Sequence, residues 1–152
     1  MKTLVIRADA GGVLGTGHVM RMIALAQAYI RRGGRVVMAS VRCPEPVIER
    51  IRESGIDHQL LEGCELGDAQ DAKASLCLCR ELEAEWMVLD GYHFDETYQK
   101  LVCGNGVKIL AVDDYGHCDT WHCDAVLNQN LGSENWPRGA TSNPDIQWLM
   151  GS

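Results

Sequence analysis

The chain has 152 residues, of which 46% are hydrophobic, and carries a formal charge of −7. That length suits one domain with a proper core, and the acidic balance argues against a nucleic-acid partner or an anionic membrane surface. The seven cysteines form an odd set without a secreted-framework spacing, no leader core follows Met1-Lys2, and no apolar run reaches the ~20 residues of a membrane span; a reduced, cytoplasmic setting is expected.

Strand and helix patterns alternate along the chain, which predicts an α/β fold: a Rossmann-like parallel sheet with helices on both faces. Leu4 to Ala8 reads as a buried first strand. Asp9 to Gly17 is a loop holding Gly11, Gly12, Gly15 and Gly17. The first helix runs from about His18 to Arg32, with Val19, Ile23, Ala26 and Ile30 as its core stripe, Thr16 or Gly17 at its cap and Gly33-Gly34 at its end. Val36 to Val41 is the second strand, and Pro44 opens a helix that Gly55 closes. A short strand at His58 to Leu61 precedes a helix over 68–83, with Ala69, Ala72, Leu76 and Cys79 on one face. Strands follow at Trp86 to Leu89 and Lys108 to Val112, with a short helix over 95–102 between them; Ala125 to Leu127 is the sixth strand. Residues 1–131 read as one domain. Residues 132–152, rich in Gly, Pro, Asn and Ser, read as loop or linker without a closing element.

In a parallel sheet the C-terminal strand ends gather on one edge, where open α/β folds bind ligands. Asp9–His18, Asp90–Tyr92, Asp113-Asp114 and Asn128–Asn130 all fall there. Gly15 and Gly17 allow a sharp turn and close approach of backbone to ligand, and the helix that follows offers free N–H groups. His18 sits in its first turn, where the positive helix end disfavours an imidazolium; a neutral imidazole can act as a general base. The bland alternative is that the glycines only make the turn and His18 is an ordinary polar residue. The spacing matches neither a dinucleotide fingerprint nor a P-loop. Asp113-Asp114 does not make a phosphoacceptor domain either, since Asp9 stands alone and no lysine follows the sixth strand. His117-Cys118 and His122-Cys123 bring zinc-type ligands together, but without a second knuckle, so no metal is expected. Cys77 and Cys79, two apart on a helix, point to different sides and read as packing residues.

Taken in order, Arg7-Ala8-Asp9, Gly15-Thr16-Gly17-His18-Val19-Met20-Arg21, Asp90-Gly91-Tyr92 with Asp95 and Tyr98, Asp113-Asp114, and Asp124 to Asn130 resemble the UDP-diacetamido-trideoxy-altropyranose hydrolases of pseudaminic acid biosynthesis. The resemblance implies the N-terminal half of a GT-B architecture, hydrolysis of a UDP-linked deoxy-acetamido sugar with His18 as base, no cofactor, and a separate C-terminal half holding most nucleotide contacts. It implies substrate contacts from Gly15, Thr16, Gly17, Arg21, Asp90, Tyr92, Asp114, Asn128 and Asn130, with Arg21 alternatively in a simple salt bridge to Asp9 or Asp90. Near Leu149-Met150-Gly151, Ser152 stands where the family has proline. A nucleotide-sugar-dependent glycosyltransferase and a non-catalytic sugar- or partner-binding domain are the competing functions. A detached domain should expose an apolar edge through which two copies could pair.

Overall fold

A strand covered by helices on both sides is largely apolar along its length. The computed structural model describes residues 1–152, and in it β1 (Thr3–Ala8) is buried at every position. The chain continues through α1 (Gly17–Ile30), β2 (Arg35–Ser40), α2 (Glu45–Glu53), β3 (Asp57–Leu60), α3 (Ala69–Glu81), β4 (Trp86–Asp90), α4 (Glu96–Val102) and β5 (Lys108–Val112). Short strands β6 (Thr120–Trp121), β7 (Ala125–Asn128), β8 (Ala140–Thr141) and β9 (Gln147–Met150) complete it. Seven strands form one parallel sheet in the order β3-β2-β1-β4-β5-β7-β9, and β6 pairs with β8 in a separate ribbon.

Strand side chains alternate between the two faces. Ile6, Met38, Val88 and Val112 pack with Val19, Met22, Ile23 and Ala26 of α1 and Ile51 of α2. Val5, Met87, Leu89, Ile109 and Val126 pack on the other face with Leu76 of α3, Tyr98 of α4 and Trp121 of β6. The fold class expected from the sequence is therefore the one observed.

The difference lies at the C-terminal end. Residues 147–150, expected within a linker, form β9, which pairs with β7 from Ala125↔Gln147 to Asn128↔Met150. β9 is a partly exposed edge strand of four residues, too short for its pattern to register beside the Gly- and Pro-rich stretch before it. The two-residue strands β6 and β8 went unread for the same reason. Ala69, expected on the buried face of α3, is exposed, because the helix turns Asp71 and Ser75 inward instead. Cys79 is buried and Cys77 exposed, as their spacing required.

Candidate functional site

The sheet register places the site. Ala8 pairs with Asp90, so the loop after β1 leaves the sheet beside the end of β4. Gly11, Gly12 and Gly15 in that loop have φ of 101°, 58° and 65°, the left-handed region that favours glycine. No side chain caps α1 at Thr16, so its first-turn N–H groups remain free toward the strand-end edge.

Asp90 follows Val88 by two and therefore projects to the α1 face. It is fully buried and gathers donors from α1. His18 Nδ1 donates to Asp90 Oδ1 at 2.8 Å. Arg21, one turn along the same helix face, donates through Nε to Asp90 Oδ2 at 2.6 Å and through Nη2 to Oδ1. Asp114, on the same sheet face as Val112, receives Arg21 Nη1 at 2.6 Å and the Tyr92 hydroxyl at 2.7 Å. Burial opposes the Asp114 charge, but Arg21 and Tyr92 outweigh it and hold the carboxyl down at about 2. The same hydrogen bond to Asp114 raises Tyr92 to about 12, so its phenol stays protonated at neutral pH. The Tyr92 ring meets the His18 ring edge-on at 5.0 Å between centroids.

Two groups meet His18 Nδ1: the Asp90 carboxylate, which can only accept, and Arg21 Nη2 at 3.2 Å, which can only donate. The shorter contact to Asp90 favours the proton on Nδ1, which leaves the lone pair on Nε2. Nε2 has no protein partner and is not among the buried unsatisfied atoms, so it reaches solvent. The histidine side chain is 11% exposed. A ring clamped on one nitrogen and open at the other can accept a proton from water or a hydroxyl.

Of the residues singled out from sequence, Arg21, Asp90, Tyr92 and Asp114 converge on His18, and Gly15, Thr16 and Gly17 frame it from the loop. Asn130 donates to the Asp114 backbone carbonyl at 3.2 Å and buttresses it. Asn128 does not join them. It alternates with Leu127, which packs on the α1 face, and so turns to the opposite face, where Asp113 also lies. The acidic pair Asp113-Asp114 is thereby divided between the two faces.

Asp71, Ser75 and His93 escaped the sequence reading, and Arg7, Asp9 and Tyr98, read there as parts of motifs, prove to be their partners. Arg7 is fully buried on the α3 face, paired with Asp71 at 2.7 Å and Asp9 at 3.2 Å. Ser75 and the Tyr98 hydroxyl complete that network around Asp71 Oδ1. Asp9 also receives His93 Nε2 at 2.8 Å and the N–H groups of Val41 and Arg42, so it fastens β1 to β2 and does not contact Arg21. Burial disfavours its charge, yet His93 and Arg7 hold it at about 2. A charged residue inside an apolar strand was the available signal, since a buried guanidinium requires partners. Asp95 caps α4 and Tyr98 sits in this network, so two positions of the D-x-Y-x-x-D-x-x-Y stretch serve the scaffold.

The His/Cys segment packs into the fold. Cys118 and Cys123 are buried in the α4-side core, and burial pushes the Cys123 thiol up to about 12. His122 contacts Ser142, and no three metal-ligating side chains converge.

No protein-family model matches the chain, and neither does any curated protein sequence. Among solved structures, MurG of Acinetobacter baumannii superposes with a TM-score of 0.62 over 93% of this chain, at 11% identity. The fold, a Rossmann-like parallel sheet with helices on both faces, is similar to the N-terminal GT-B domain of MurG. The chain spans 44% of the MurG chain's length. The pseudaminic acid family itself rests on the sequence motifs alone. No helix is long and apolar enough to cross a membrane.

Proposed function

We propose that this chain is the sugar-side half of a nucleotide-sugar hydrolase. Its substrate is a UDP-linked deoxy-acetamido sugar of the pseudaminic acid type. The observation that carries the reading is the His18 imidazole, gripped at Nδ1 by Asp90 and open at Nε2 beside the uncapped start of α1.

In the reaction, Nε2 takes a proton from water as the water oxygen attacks the anomeric carbon. The bond from that carbon to the UDP oxygen breaks with inversion, and UDP leaves with the electron pair. Asp90 stabilises the imidazolium that forms, as the carboxylate does in a triad. The Asp114-bound Tyr92 packs against the sugar side of the base, and free N–H groups at α1 favour negative charge developing nearby. A second Rossmann-like half supplies the nucleotide contacts.

The MurG-like fold accommodates a second reading. A hydroxyl of an acceptor could replace water, giving a glycosyltransferase with the same base. UDP release from UDP-sugars, followed by mass spectrometry with and without acceptor, separates the two: the hydrolase needs none. His18→Ala in the two-domain enzyme should slow turnover by ~100- to 10,000-fold, the range for loss of a general base, without loss of folding. Unchanged turnover would remove His18 from the chemistry.

A further inference from the structure

On the face of the sheet away from α1, a cleft of about 490 Å³ opens between the ends of β5, β7 and β9 and the β6–β8 ribbon. The size falls within the range of small-ligand sites. Asn128 is 1% exposed and lines this cleft. Its Oδ1 accepts from Asn130 N at 3.0 Å, but its Nδ2 has no partner. A buried donor left unpaired costs free energy, so it points to an acceptor that arrives with a ligand.

Asp113 stands on the neighbouring strand, its N–H bonded to the Leu127 carbonyl, so it extends to the same side as Asn128. Its Oδ1 serves the N–H groups of Tyr115 and Gly116, whereas its Oδ2 makes no hydrogen bond and is not among the buried unsatisfied atoms. The cleft thus offers one open donor and one open acceptor side by side. Trp136 supplies an exposed apolar wall, with Trp121 buried at the cleft's lining and the Trp148 ring carrying the Arg138 guanidinium at 5.6 Å.

The chemistry selects the ligand class. An apolar ring would leave Asn128 Nδ2 unpaired. The charges around the cleft nearly balance, Asp113 paired with His117 and Asp119 set against Arg138, so no net charge is offered to select an ion. A hydroxyl accepts and donates at once, and a pyranose combines hydroxyl edges with apolar C–H faces that suit indole rings. We propose that this cleft is a binding site for a neutral polyhydroxylated ring, a saccharide unit, held on the far side of the sheet from His18. The proposal is independent of the role assigned to His18.

Saturation-transfer NMR on the full chain tests it, with methyl β-glucopyranoside and N-acetylglucosamine as probes and phenol as an apolar control. Saturable binding of either sugar is expected. Trp136→Ala, which alters a side chain already 41% exposed, and Asn128→Leu should each weaken it at least about tenfold, while His18→Ala leaves it unchanged. Trp136→Ala keeps the test decisive if Asn128→Leu fails to fold. Absence of sugar binding, binding of phenol only, or sugar binding indifferent to Trp136→Ala would overturn the proposal. Loss of sugar binding on His18→Ala would do so as well, since it would place the sugar at the other site.

Discussion

Asp90 illustrates how much one side chain settles. A fully buried carboxylate needs several donors to keep its charge, and Asp90 draws them from two residues of α1. The proton on Nδ1 of His18, and hence the free lone pair on Nε2, follows from that need. Asp90→Asn keeps the shape but puts an amide against Nδ1 and frees the other tautomer. In the two-domain enzyme kcat should fall at least about tenfold, with KM moving less; a KM change with kcat intact would assign Asp90 to substrate binding alone. Asp90, Tyr92 and Asp114 were legible in the sequence from their place at strand ends, and His18 and Arg21 from their spacing of three on the helix after the glycine loop. The side taken by Asn128 was not read. Yet the period-two alternation already separates Asp113 from Asp114 and Asn128 from Leu127, so the missing step was to extend the strand pattern into the loops.

Among the elements, β1 and α3 are joined by charge inside the core. Arg7 is surrounded by Asp71, Asp9, Ser75 and the Ala39 carbonyl, with its guanidinium 5.0 Å from the Phe94 ring. Asp71→Ala should cost about 3–5 kcal/mol, read from urea unfolding, because it strands a buried cation; a loss below about 1 kcal/mol would mean that Asp9 suffices. After β5, burial opposes charge on His117, but the Asp113 carboxylate 3.4 Å away prevails and raises the imidazole to about 9. The folded value exceeds the ordinary 6.5, so this contribution to stability is complete below pH 6.5 and is lost as pH rises through about 9. The stability difference between wild type and His117→Gln should shrink across that window; a constant difference would contradict the pairing. The interior strands and long helices were legible because each carries its own periodicity. β6, β8 and β9 were not, since two to four residues carry no period and their pairing depends on neighbours distant in sequence.

At the scale of the molecule, one sheet presents two different edges to solvent at its strand ends. The α1 side holds a clamped imidazole and a carboxylate pair organised by Arg21; the α4 side holds an aromatic cleft with an unpaired donor. In the proposed hydrolase the α1 side is one wall of a cleft whose other wall belongs to a second domain. Isotope placement tests that account most directly. The two-domain enzyme and its His18→Ala form are incubated with the UDP-sugar in heavy-oxygen water, and the products are weighed by mass spectrometry. Activation of water by His18 at the anomeric carbon predicts heavy oxygen in the released sugar, none in UDP, and loss of labelled product in the variant. Label in UDP, or full labelling of the sugar without His18, would contradict it.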